Sequence, residues 1–216
     1  MAVISTVPAP VAAPPAAGPT KPVSGRAATT TPGPISLPVP YFCQRDSATS
    51  QGLRMCFSST CAMAAAYLRP GCLAGSGQPD DQYLQIVRQY GDTTEAPAQI
   101  EALRSLGIEA ELRTDGRPEQ LLAQLQMGIP IPVGWLHQGP VVEPRGSGHW
   151  SLVIGWDPAR EAVLMHDPNG EALLIGGGYV STAIGSGRKL RYSLANWGRR
   201  WMVEGLGSGW WLELGG

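Results

Sequence analysis

The chain has 216 residues, 43% of them hydrophobic and 15% charged, with a formal net charge of -1 at pH 7. This length and apolar content fit one globular core, and the balanced charge supplies no polyanion-binding face, so no nucleic-acid partner is expected. With 28 glycines and 20 prolines the chain should be rich in loops.

Residues 1–34 hold many of those prolines and no aromatic residue, and they offer no apolar face to bury. They read as an extended arm or linker, the functional version of which is a tether into a larger assembly. Pro8, Pro10, Pro14 and Pro15 interrupt every candidate for a secretory signal. No later run approaches about 18 uninterrupted apolar residues, so no membrane span is expected.

Residues 35–216 read as the globular domain. SLPVPYF suits a short edge strand, and QRDSATSQGLRM is loop-like. CFSSTCAMAAAYL has the pattern of a helix with Ser58, Ser59 and Thr60 as capping residues in its first turn, which puts Cys56 at the helix start. DDQYLQIVRQYG and EAPAQIEALRSLG have helical spacing, acidic starts, and Gly91 and Gly107 where C-caps belong. IEAELRT follows as a strand, and RPEQLLAQLQMG as a helix closed by Gly128 with leucines at core spacing. IPIPVGWLH, HWSLVIGWD and AVLMHDPNG are then three strand-like runs separated by turn residues. Helices early and strands late give an α+β class. The tail RYSLANWGRRWMVEGLGSGWWLELGG carries Trp197, Trp201, Trp210 and Trp211, and predicts a final hairpin packing its aromatics on the sheet. The competing reading is an aromatic wall of a substrate cleft.

The cysteines can be sorted by chemistry. Cys56 and Cys61 lie five residues apart with no second Cys or His pair, so no metal site is expected. The same spacing on a helix points them to different faces, a poor geometry for a disulfide. Cys43 and Cys72 are free to pair in an oxidising compartment, though nothing in the sequence requires it. Cys61 reads as a small core residue. Cys56 differs, because a thiol at a helix N-terminus meets the positive end of the macrodipole, which favours the nucleophilic thiolate.

A nucleophile needs a base, and the histidines are His137, His149 and His166. His149 opens a strand after a glycine-rich loop, where it can project into a cleft. Two carboxylates compete to orient it. Asp157 ends the strand that His149 begins, and eight extended residues separate them by on the order of 26 Å. Asp167 ends the next strand, which returns to the level of His149 if it runs antiparallel. Asp167 is therefore the expected orienting group, Asp157 a turn residue before Pro158, and His166 a neighbour facing away.

VPYFCQRD, CFSSTCAM, GHWSLVIGWD and HDPNG, in that order, resemble the papain-like cysteine peptidases of the double-glycine leader peptidase (bacteriocin-processing) group. The match runs from about Val39 to about Gly170. The resemblance implies a papain-like fold with an N-terminal catalytic helix packed on an antiparallel β-sheet. It also implies Cys56, His149 and Asp167 as the triad, Gln44 in the oxyanion hole, and no metal or organic cofactor. Many relatives follow the cysteine with Gly-Pro-Thr-Ser, whereas Phe57, Ser58, Ser59 and Thr60 follow it here. Phe57 is thus expected beside the nucleophile, altering substrate preference. Neither the membrane helices nor the phosphate-binding glycine loop of a transporter is recognised. CFSS-type segments resemble those of stand-alone bacterial and phage relatives, which implies a virion or cell-wall role and a peptide or peptidoglycan-peptide substrate, while the lack of a recognised signal peptide or membrane span leads to the expectation of a cytoplasmic or virion-associated location. Three activities follow: a cysteine peptidase, a virion or scaffold protein that keeps the fold and is anchored by its arm, or a transglutaminase-like acyltransferase.

Overall fold

The computed structural model describes residues 33–215, so the arm read over 1–34 lies, apart from its last two residues, outside the described residues. In chain order the elements are β1 (Ile35–Ser36), a 3-10 turn (Gln44–Asp46), α1 (Cys56–Leu68), α2 (Pro79–Val87), α3 (Ala96–Ser105), β2 (Ala110–Gly116) and α4 (Pro118–Gln126). They continue with β3 (Ile131–Gln138), β4 (Arg145–Asp157), β5 (Ala162–His166), β6 (Glu171–Ala172), β7 (Tyr179–Ser181), β8 (Leu190–Ser193), α5 (Trp197–Trp201) and β9 (Gly209–Leu214). The main sheet runs β2-β9-β3-β4-β5-β8, with β1 beside the far end of β4, and β6 and β7 form a separate ribbon. All its pairings are antiparallel.

Three helices begin with proline in the first turn, at α2, α3 and α4, where the missing amide hydrogen would have had no partner in any case. Gly107 and Gly128 take φ of 75° and 78° just past α3 and α4, the left-handed conformation in which glycine avoids a Cβ clash. α1 is buried around nearly its whole circumference from Phe57 to Ala65. Its buried alanines, Ala62, Ala64 and Ala65, admit the close approach of neighbours, and its hydroxyls are bound to them. Ser58 pairs with Thr93 at 2.7 Å, Ser59 donates to Asp80 at 2.7 Å, and Thr60 donates to the Trp150 carbonyl at 3.1 Å. These hydroxyls do not cap the helix, contrary to the sequence reading. Met55 is the N-cap and makes no side-chain cap bond, and the early hydroxyls point into α2, the segment before α3, and β4.

Other expectations need correction. The edge strand expected over SLPVPYF shrinks to β1, since Pro38 and Pro40 have no amide hydrogen to continue a ladder after Leu37 donates to Ile154. Gly155 permits even this pairing, as a Cβ there would lie 2.2 Å from the Ile35 carbonyl oxygen. The tryptophan tail is not a hairpin. It forms α5 and then β9, which enters the sheet between β2 and β3. Trp197, Trp201 and Trp211 are buried in the core, while Trp210 stays 54% exposed. All four cysteines are free, Cys43 and Cys61 buried and Cys56 and Cys72 half-buried. Among the described residues no helix is long and apolar enough to cross a membrane.

Phe57 does not flank Cys56 as an open wall. It is 2% exposed and stacks on Trp150 with ring centroids 3.6 Å apart and planes 4° from parallel. The aromatic pair joins the first turn of α1 to the strand that carries His149. Truncating it should therefore cost both the burial and the cavity left behind. Phe57→Ala is expected to destabilise the fold by about 3–5 kcal/mol, read as a shift in the denaturation midpoint.

Candidate active site

Four segments converge on Cys56. The residue is the first of α1, at the end of the helix where backbone amide hydrogens have no intrahelical acceptor. Gln44 sits in the 3-10 turn, buried, and its Nε2 donates to the Gly52 carbonyl at 2.8 Å. That fixes the side chain and leaves the second amide hydrogen. The Gln44 backbone amide donates to the Pro168 carbonyl at 2.9 Å, and Arg45 Nε donates to Asn169 Oδ1 at 2.6 Å, so this turn is tied to the segment after Asp167.

The sheet brings the imidazole and the carboxylate together. β4 and β5 pair with Leu152 opposite His166, and Asp167 continues past β5 toward His149. His149 Nε2 lies 2.8 Å from Asp167 Oδ1, with the two side chains 4% and 0% exposed. The same oxygen accepts the Asn169 backbone amide at 2.9 Å. The Asp167 backbone is held as well: Tyr41 donates to its carbonyl at 3.0 Å, and its amide donates to Gly187 at 2.9 Å. A Cβ on Gly187 would lie 1.9 Å from the Asp167 carbonyl oxygen, so only glycine fits there.

Asp157 and His166 have other partners. The Asp157 carboxylate binds Arg160 at 2.9 Å and Arg191 at 3.1 Å, at the far end of β4. His166 is buried between the Val39 carbonyl, 3.1 Å from Nε2, and the Lys189 amide, which donates to Nδ1 at 3.0 Å. Burial holds it in the neutral form, down to about 4.

Burial also works against charge on His149, but here the Asp167 carboxylate and the neighbouring Cys56 sulfur outweigh it and push the imidazole up to about 10. With Nε2 turned to Asp167, Nδ1 is the ring nitrogen left for the thiol. Burial pushes the Cys61 thiol well up, which keeps it an inert core group. No cluster of His, Cys, Asp or Glu among the described residues is arranged to hold a metal ion.

Gln44, Cys56, His149 and Asn169 line a cleft of about 480 Å³. Its walls include residues not singled out from the sequence: Leu53 and Arg54 before α1, Tyr179 of β7, and His137, which the sequence reading passed over in favour of His149. Trp210 also lines it, so one tail tryptophan does face the cleft. His137 could have been found by alternation, because Trp135 pairs with His149 and residue 137 lies two farther along on the same side. Tyr179 carried no such signal, since β7 pairs only with β6, outside the main sheet.

The architecture is α+β with the papain-like fold of the C39-like peptidases. A Bacillus anthracis protein assigned as a C39-like peptidase superposes with a TM-score of 0.53 at 14% identity, over 84% of this chain and 97% of that one. A double-glycine motif protease from an AMS/PCAT transporter, solved with its leader peptide, gives 0.47 at 17% identity, over 85% and 98%. The peptidase domain of Streptococcus ComA gives 0.48 at 18% identity, over 83% and 97%. No protein-family model and no curated protein matches the sequence.

The raised imidazole has a testable sign. Because His149 titrates higher in the folded state than at its ordinary 6.5, its contribution to stability is complete below that value and is lost as pH rises through about 10. An NMR titration should show His149 protonated through neutral pH, and Asp167→Ala should bring its midpoint down.

Proposed function

We propose that this chain is a cysteine peptidase that hydrolyses peptide bonds through Cys56, His149 and Asp167, with Gln44 in the oxyanion hole. The observation that carries the proposal is the buried His149–Asp167 pair beside a cysteine that heads a helix. Cys56 gives its proton to His149, and the sulfur attacks the peptide carbonyl carbon. The carbonyl oxygen, now negative, is met by the Cys56 backbone amide and the free hydrogen of the Gln44 side chain. His149 then protonates the departing amine, leaving a thioester. A water molecule gives its proton to the same ring, attacks the thioester and releases the acid. Asp167 holds the ring with Nε2 facing away from the sulfur and offsets the imidazolium charge.

The resemblance noted in the sequence extends this proposal to peptidoglycan peptides and to a phage or cell-wall setting, with residues 1–34 as the link to a larger assembly. A peptide library and purified peptidoglycan, each incubated with the protein and read by mass spectrometry, test both levels. The expected products carry the mass of one added water and disappear with Cys56→Ala. Gln44→Ala should lower kcat/KM by about 10²–10³. Asp167→Asn should be milder than Asp167→Ala, since an amide oxygen still accepts from Nε2. Transfer to an added amine in place of hydrolysis would favour the acyltransferase, and no reaction with any substrate would favour the scaffold protein.

A further inference from the structure

Arg54 lines the cleft, yet the proposed reaction gives it no role. It stands two residues before Cys56, a stretch that spans at most about 7 Å, so its side chain leaves the backbone beside the nucleophile.

A guanidinium carries N–H donors on all three of its nitrogens, and the domain uses those of one end. Nη1 donates to Asp92 Oδ2 at 3.0 Å and Nη2 to Asp92 Oδ1 at 2.8 Å, the end-on bidentate pairing of an arginine with a carboxylate. Nη1 donates as well to Gln51 Oε1 at 3.1 Å. The Nε hydrogen and the outer hydrogen of Nη2 have no partner among the described residues. These two lie on one edge of the planar group and make a second fork, which matches the two oxygens of another carboxylate.

This fork is held ready for a ligand. Asp92 Oδ1 also accepts from the Thr94 amide at 3.0 Å and the Thr94 hydroxyl at 2.7 Å, so the carboxylate that grips Arg54 is itself fixed in the turn before α3. A long side chain fixed before its ligand arrives loses less freedom on binding. The Arg54 side chain remains 50% exposed, which leaves the open edge within reach.

The charges around it favour an anion. Arg54 and His149 are the charged residues that line the cleft, and no Asp or Glu is among the lining residues. Burial works against charge on His149, but Asp167 and the Cys56 sulfur outweigh it and keep the ring protonated up to about 10. Asp92 offsets part of the Arg54 charge, whereas Asp167 is wholly buried against His149. A carboxamide offers the fork one acceptor oxygen, and a carboxylate offers two with a negative charge.

We propose that Arg54 is a specificity-determining residue that binds a carboxylate of the substrate peptide close to the scissile bond, carried by an Asp or Glu side chain or by a free C-terminus. That the ligand is a peptide rests on the peptidase reading.

The test uses one peptide panel with Glu, Gln, Asp, Asn or Leu at each position near the scissile bond, and a second panel ending there in a free carboxylate or its amide. Cleavage by the intact protein should favour the carboxylate over the matching amide by about tenfold or more in kcat/KM. A preference in the first panel assigns the fork to a side chain, and one in the second assigns it to a terminus. Arg54→Gln should bring the ratio toward one, and Arg54→Lys, which keeps the charge without the fork, should give a ratio between the two. The Arg54–Asp92 pair is exposed on both sides, so its loss should leave the fold intact, and a ratio within one variant does not depend on how much of it is folded. Binding of the same peptides to Cys56→Ala, measured by calorimetry, should show the same preference without chemistry, and adding Arg54→Gln should abolish it. Cleavage with no carboxylate preference, or with a preference that survives Arg54→Gln, overturns the subsite and leaves the peptidase reading standing. Carboxylate-selective, Arg54-dependent binding to Cys56→Ala with no cleavage by the intact protein supports the subsite and overturns the peptidase reading. Absence of selectivity in both measurements overturns the subsite.

Discussion

A hydrogen bond of 2.8 Å between His149 Nε2 and Asp167 Oδ1, removed from solvent on both sides, is the contact around which the rest of the domain is arranged. Two ionisable groups buried this deeply are stable only as a well-matched pair, and removing one partner leaves the other exposed to the full cost of desolvation. The surroundings meet that requirement from the backbone outward. Asn169 adds a second bond to the same carboxylate oxygen, Tyr41 and Gly187 hold the Asp167 main chain, and Trp135 closes an edge-on contact over the imidazole with centroids 5.4 Å apart.

The same segment connects the carboxylate to the other side of the cleft. Pro168 and Asn169, directly after Asp167, bind the Gln44 turn, and His166, directly before it, binds the Val39 carbonyl upstream of that turn. A displacement of β5 would thus move Gln44 as well as Asp167. On the helix side, the Phe57–Trp150 stack and the Thr60 bond to the Trp150 carbonyl link α1 to the residue next to His149. Positioning in this domain is carried by neighbours one residue away from the groups proposed to react.

Much of this was legible in the sequence because it is local. Helical spacing, glycines such as Gly107 and Gly128, and alternation along β3, β4 and β5 report the backbone directly. The proximity of Asp167 to His149 is conditional in the sequence on an antiparallel return of β5, and the β4–β5 pairing supplies it. What escaped depends on distant partners. Ser58 and Ser59 resemble caps until Thr93 and Asp80 are seen to bind them. Phe57 follows Cys56 in sequence but turns into the core toward Trp150. The insertion of β9 between β2 and β3 is a non-local pairing, and it decides that Trp211 is buried while Trp210 reaches the cleft.

The account depends on Cys56 being the nucleophile made reactive by this pair, and alkylation measures that reactivity without knowledge of a substrate. Iodoacetamide at neutral pH, followed by peptide mapping over time, should label Cys56 ahead of Cys43, Cys61 and Cys72, and His149→Ala should slow that labelling selectively. Labelling of Cys43 or Cys61 first, or a Cys56 rate indifferent to His149, would contradict it.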